Sequence, residues 1–449
     1  MESNIQHTVG IYTLGCKVNQ YESEAIAEYL EKNEISVRPA STVCDAYIIN
    51  TCTVTAESDR KARQFIRRAM SKNKSAYIIV TGCFAQSAPD EIAKIEGVDF
   101  ICGNTEKLIA AKKLIEYFNT NKQKGSPEIY VTDIQDAPFE EMSITRFNRT
   151  RAYVKIEDGC ENRCAFCIIP SARGKVRSKA PQDIINEVEA LVNGGCKEIV
   201  LTGIETASYG KDLGNITLAD ILCRIDKIDG LERVRLGSLD PSIITPKFVN
   251  KISQLTKLAP HFHLSLQSGS NRVLALMRRK YNAEMAMNAI NLLRESIPYV
   301  SFTTDVIVGF PQETEKDFEE TLEFIKKANF LMVHIFPYSA RKGTEAANMK
   351  GQIHKDIKDY RLHLLEKEVF EISNRILARE IKIRPEQKVL FENFDGKYAY
   401  GHTDNFVEVA VPSTEDLRSR ILNVQLRLTD GKVCFGRLID NNKSRRKNV

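Results

Sequence analysis

No apolar run in this 449-residue chain approaches the roughly 18 to 20 residues needed to cross a bilayer. The polar start Met1-Glu2-Ser3-Asn4 lacks a signal-peptide core, so the expectation is a cytoplasmic chain with no membrane partner. A strong charge imbalance is missing too. A net charge of +5 is too small to argue for a nucleic-acid partner unless the cations cluster locally. Charged residues at 27% and hydrophobic residues at 43% are ordinary for a folded protein of two to four domains. Cysteine is not scarce. Eleven in a chain of this size argue for metal or redox chemistry, because disulfide frameworks belong to small secreted domains.

The densest group is Cys160, Cys164 and Cys167, a C-x3-C-x2-C loop. Iron–sulfur clusters normally take four thiolates, so a loop of three leaves one iron of a four-iron cluster open to a substrate or cofactor. A zinc site usually shows paired C-x2-C elements and four ligands, and only one such pair is present. Three ordinary buried thiols are the remaining alternative.

Residues 7–119 repeat one arrangement, with apolar runs Val9 to Leu14, Ala46 to Asn50 and Ala76 to Val80 ending in Cys16, Cys52 and Cys83. Each run is followed by a helical pattern, which predicts parallel βα units. Ligands of open α/β sheets gather at the carboxyl ends of strands, so the three thiols should converge there. Cys44 and Cys102 fall elsewhere and are expected to be core thiols. Residues 120–145 read as a linker with at most a short strand. Residues 146–378 alternate six apolar runs with helical patterns, predicting a partial (βα)6 barrel with Cys160, Cys164 and Cys167 after its first strand. Five short runs within residues 380–442 predict a small β-barrel, and residues 443–449 a basic tail. The fold class is therefore α/β multidomain.

The cysteine loop, with Phe166 inside it, resembles the radical S-adenosylmethionine (SAM) superfamily. That resemblance implies a 4Fe-4S cluster chelating SAM at its open iron, and reductive cleavage of SAM to a 5′-deoxyadenosyl radical. It further implies SAM contacts from Phe166, from Thr202 and Gly203 after the second strand, and from Ser265, Gln267, Asp305, Ile307 and Gly309 on later strands. The motifs around Cys16, Cys52 and Cys83 are similar to the auxiliary-cluster ligands of the methylthiotransferases, and the order of segments matches that family, ending in a TRAM-like RNA-binding barrel. Two 4Fe-4S clusters, SAM, a reducing electron donor and a sulfur source are then implied.

Cys164-Ala165-Phe166-Cys167-Ile168-Ile169-Pro170, Met277 to Tyr281, Val333 to Ser339 and Gly401 to Asn405 look most like the branch acting on N6-threonylcarbamoyladenosine of tRNA. The product would carry a 2-methylthio group. The alternatives are the same reaction on isopentenyladenosine or on an aspartate of a ribosomal protein, and a non-catalytic Fe–S sensor that binds RNA. Arg278, Arg279 and Lys280 are candidates for reading the threonylcarbamoyl carboxylate. For phosphate contact the expected residues are Arg60, Arg63 and Arg67 on one helical face, Arg173 and Arg177 after the cysteine loop, and Arg418, Arg420 and Arg437 in the last segment.

Overall fold

The computed structural model describes residues 7–120 and 124–439. The basic tail 443–449 lies outside the described residues.

The first segment is one parallel sheet of six strands, in the spatial order Ser36–Arg38, Thr8–Thr13, Ala46–Thr51, Tyr77–Gly82, Phe100–Cys102 and Glu128–Tyr130. Ala46–Thr51 and Tyr77–Gly82 are buried at every position, as continuous apolar strands between two helical layers must be. Alternate residues serve opposite layers. Ile49, Ile78 and Val80 pack with Ala62 and Ile66 of helix Ala56–Lys72, whereas Ile48, Ile79 and Phe100 pack with Ile26 and Leu30 of helix Lys17–Lys32. Cys44 and Cys102 are buried within these two layers. The short strand Glu128–Tyr130, from the stretch read as a linker, adds to the sheet edge.

The second segment carries the expected strands, all parallel, but as two sheets. Arg151–Lys155, Glu198–Thr202 and Arg233–Leu236 form one; Ser238–Leu239, His261–Gln267, Ser301–Val308 and Met332–Pro337 form the other. The third strand breaks at Gly237 and pairs with one sheet before the break and the other after it. Arg151–Lys155 and Met332–Pro337 are the free edges, so the barrel is open. Helix Lys355–Ile383 runs unbroken through residues 378–380, packs on Met332–Pro337 and leads into the last segment.

That segment is a closed barrel of Glu386–Phe394, Tyr398–His402, Glu408–Pro412, Cys434–Leu438 and Ile421–Thr429. It caps the amino-terminal ends of the partial barrel. Arg233 and Arg235, buried and paired with Glu198, donate to the carbonyls of Lys388, His402, Thr403 and Asp404. Phe406 inserts beneath Arg235 and stacks on His261 and His402, with centroids 4.3 and 4.6 Å away. Only the carboxyl ends remain for chemistry. No helix among the described residues is long and apolar enough to cross a membrane.

Candidate active site

The first sheet and the partial barrel meet carboxyl edge to carboxyl edge. Arg341, just after the last barrel strand, donates to Thr53 and Asp59 just after Cys52, at 2.6 Å each. Helix Cys83–Ser87 packs against helix Ile169–Arg173, which follows the cysteine loop. Both trios therefore open onto one junction, which Arg173, after the cysteine loop, crosses to reach Cys83.

In the sheet, Thr51 pairs with Gly82, so Cys52 and Cys83 leave adjacent strands at one level. Gly82 has φ 102°, and a Cβ there would lie 2.3 Å from the Thr51 carbonyl oxygen; only glycine turns the chain into the helix that begins at Cys83. Gly15 (φ 95°) presses on Cys52 in the same way, a Cβ meeting the Cys52 Sγ at 2.9 Å, and this brings the Cys16 loop onto its partner. In the barrel, Cys160, Cys164 and Cys167 are half-buried on a single loop. Asn162 N–H donates to Cys160 Sγ at 3.4 Å, and Cys167 N–H to the Cys164 carbonyl.

The donor set suits iron–sulfur binding. Among the described residues each site offers three thiolates and no fourth protein ligand, which suits a four-iron cluster with one open iron rather than a four-ligand zinc site. Burial pushes the Cys52, Cys160 and Cys167 thiols up to about 12, so metal loading must expel their protons.

Each trio receives one arginine. Arg173 Nε donates to Cys83 Sγ at 3.2 Å, and Arg279 Nη1 to Cys164 Sγ at 3.3 Å. These contacts correct two expectations. Arg173 is fully buried, bound to Glu22, Asp158 and Asn19, and Arg177 is buried against the carbonyls of Arg173 and Ile134; neither can meet RNA phosphates. The Arg279 side chain is 7% exposed, held by Asp240 and the Ser265 carbonyl, and is not free for a substrate carboxylate. Arg278 is exposed and pairs with Glu345.

Glu22 is the hub that sequence reading missed. It is fully buried with Arg173, Lys107 and Lys155 around it, and Asp158 completes the group. Burial opposes its charge, but Arg173, then Lys107 and Lys155, hold its carboxyl well below the usual range. Glu205 was also missed. It accepts from Asn162 Nδ2 at 3.1 Å, and burial, followed by the charge of Asp240, raises it to about 7. Its place beside a strand-end glycine and the cysteine loop was the available signal.

Of the expected SAM contacts, Phe166 stands edge-on to Phe310 at 6.4 Å. Thr202 ends its strand, and Gly203 lies against Glu157, where a Cβ would sit 2.5 Å from Oε2. Ser265, Gln267, Asp305 and Ile307 occupy the partly open positions of two adjacent strands, the lumen side, while Leu264, Leu266, Val306 and Val308 are core. Gly309 belongs to a turn instead: its N–H donates to Glu313 at 2.6 Å and its Cα faces Lys358.

Of the expected RNA contacts, Arg60 pairs with Glu57 and Arg63 with Glu91, and exposed Arg67 has no ion pair among the described residues. Arg418 pairs with Asp416 and Arg420 with Glu415, and Arg437 donates to Gln425. Such surface pairs are worth little and exchange readily for phosphate. Arg418 also lines a groove of about 580 Å³ with Arg149 and Arg151, between the small barrel and the partial barrel.

Residues 154–325 match the Radical SAM superfamily, and residues 8–103 match Uncharacterized protein family UPF0004. A threonylcarbamoyladenosine tRNA methylthiotransferase MtaB of Bacillus subtilis is 40% identical over 93% of this chain and 93% of its own length. Its namesake in Thermotoga maritima is 39% identical over 95% and 99%. A tRNA-2-methylthio-N(6)-dimethylallyladenosine synthase of Clostridium tetani is 36% identical over 95% of both chains. Among solved structures, the radical S-adenosylmethionine methyltransferase TsrM of Kitasatospora setae aligns with a TM-score of 0.55 at 15% identity, covering 76% of this chain and 77% of that one, a likeness of fold alone. With near-full-length identity to methylthiotransferases and the superfamily match over the barrel, the chain belongs to the radical SAM methylthiotransferase family of enzymes.

Proposed function

We infer that this enzyme adds a methylthio group to C2 of N6-threonylcarbamoyladenosine beside the anticodon of tRNA. The observation that carries the reading is the 40% identity, over 93% of both chains, to a relative bearing that activity in its name. Cys160, Cys164 and Cys167 would hold the SAM-binding 4Fe-4S cluster, and Cys16, Cys52 and Cys83 the auxiliary one. When bound, the clusters and SAM supply the radical chemistry and the methylthio group. The chain's own residues do the rest. Glu205 would accept from the amino group of SAM, and Phe166 would pack beside its adenine. Arg173 and Arg279 donate to one thiol of each trio and hold it toward the junction. The small barrel closes the opposite end of the partial barrel. Arg60, Arg63, Arg67, Arg418, Arg420 and Arg437 would take tRNA phosphates, and an electron donor and a sulfur source would act in the cytoplasm.

The test is anaerobic reconstitution, then incubation with tRNA carrying threonylcarbamoyladenosine or isopentenyladenosine, followed by mass analysis of the nucleosides. Added methylthio mass on the first is expected. Addition to isopentenyladenosine alone would overturn the substrate, and a lack of 5′-deoxyadenosine with SAM and reductant would overturn the chemistry. Isopentenyladenosine is the second reading because relatives named for dimethylallyladenosine reach 36 to 38% identity.

A further inference from the structure

Inside the partial barrel the wall is polar beyond what packing needs, and Asp305, expected above as a SAM contact, belongs to it and is assigned here to the substrate instead. On Met332–Pro337 the alternate residues Met332, His334 and Phe336 are exposed, while Val333 is buried in the core; Phe336 keeps 46% of its surface. His334 lies directly opposite Asp305 on the neighbouring strand and makes no hydrogen bond among the described residues. His263 completes the group, with Nε2 3.2 Å from Asp305 Oδ2, Nδ1 2.9 Å from the Thr303 hydroxyl, and its ring 5.9 Å from that of His334. Lys17, next to Cys16, is exposed by area and makes no ion pair among the described residues. It opens helix Lys17–Lys32, which packs against Arg151–Lys155, a free-edge strand of the open barrel whose other free edge is Met332–Pro337.

Two imidazoles and a carboxylate within 4.8 Å could hold a divalent cation. Lys17 at the same opening argues against it, since a lysine there repels a cation and calls for an anion. The ligand this set fits has a carboxylate for Lys17, N–H or O–H donors for Asp305, a carbonyl or hydroxyl for His334, and a flat ring for the open face of Phe336.

We propose that Lys17, His334, Asp305 and Phe336 form the specificity pocket for the modified adenosine, with Lys17 taking the threonyl carboxylate, Asp305 the ureido N–H, His334 the remaining oxygen and Phe336 the purine. The proposal rests on the substrate reading above. An isopentenyl group in this pocket would strip water from three polar groups and return nothing, and sites built for hydrogen bonds reject analogues that lack them.

The test uses reconstituted enzyme and three anticodon stem-loops, bearing threonylcarbamoyladenosine, its neutral methyl ester, or isopentenyladenosine. Binding constants, methylthio product and iron content are measured for the wild type, Lys17→Met and His334→Phe. The wild type should prefer the acid over the ester by about 10- to 100-fold, the range of one charge-assisted hydrogen bond. Lys17→Met should abolish that preference. His334→Phe should raise KM for the acid about tenfold with kcat held, and bind isopentenyladenosine more tightly than the wild type does. Should Lys17→Met lose iron because it adjoins Cys16, His334→Phe decides alone. Unchanged preferences in His334→Phe overturn the pocket, as does a stoichiometric zinc or iron ion that disappears with His334. Wild-type activity on isopentenyladenosine alone would sink the substrate reading instead, a distinct result.

Discussion

The two cysteine trios have the same donors and opposite origins. Cys160, Cys164 and Cys167 lie on one loop, so their proximity is set by eight residues of chain. Cys16, Cys52 and Cys83 come from three strand ends and meet because a parallel sheet brings those ends level. The first trio should tolerate distant changes; the second should fail whenever sheet or junction is disturbed. The arginines carry the same contrast. Arg279 is held within its own barrel, whereas Arg173 reaches out of the barrel to the sheet's Cys83, Glu22 and Asn19.

Breaking Arg173 is therefore the sharpest way to split the trios. Arg173→Ala leaves Glu22 and Asp158, both buried, without their strongest partner, and removing one partner of a buried ion pair costs about 3–5 kcal/mol. Urea unfolding should show that loss, and iron counting should show the Cys16, Cys52 and Cys83 cluster lost first. Gly15→Ala is gentler and more selective. Its Cβ would strike Cys52 at 2.6 Å and its φ of 95° is strained for alanine, so about half the iron should go while SAM still binds. The same halving is expected for Cys16→Ala and Cys160→Ala, but only the second should abolish 5′-deoxyadenosine formation. Arg279→Met should leave both clusters in place and lower the reduction potential of the SAM-binding one alone, as a redox titration would read, because a cationic donor to its thiolate is lost.

What the sequence disclosed follows the same divide. Apolar runs and short cysteine spacings are local, so the sheet strands, the loop trio and the C-terminal barrel could be read directly. Ser265 and Gln267 came from the family resemblance, and the partly open alternate positions of His261–Gln267 put them on the lumen side. Arg173 and Arg177 misled because a short run of cations reads the same whether solvated or buried; their burial depends on Glu22, 151 positions from Arg173. Glu22, Lys107 and Lys155 went unread for the same reason, since nothing local marks a charge as buried. The break at Gly237 was hidden because the strand after it has two residues, too few to form a pattern.

The smallest effect is expected at Glu205, where a charge beside the loop trio can be removed without touching the sheet. Its carboxyl is raised from 4.5 to about 7 by burial and then by Asp240, so folded apoprotein holds its proton where unfolded chain has lost it. Between those two pH values the folded state binds more protons, and stability falls as pH rises, the full penalty being present above about 7. Glu205→Gln keeps the size and the hydrogen-bonding oxygen without the charge. The variant apoprotein should match the wild type at pH 4 and exceed it at pH 8, with a flatter profile between, as thermal unfolding at each pH would show. A profile parallel to the wild type's would mean that Glu205 is already ionised at neutral pH. The loop trio would then have no titrating neighbour to distinguish it from the sheet trio.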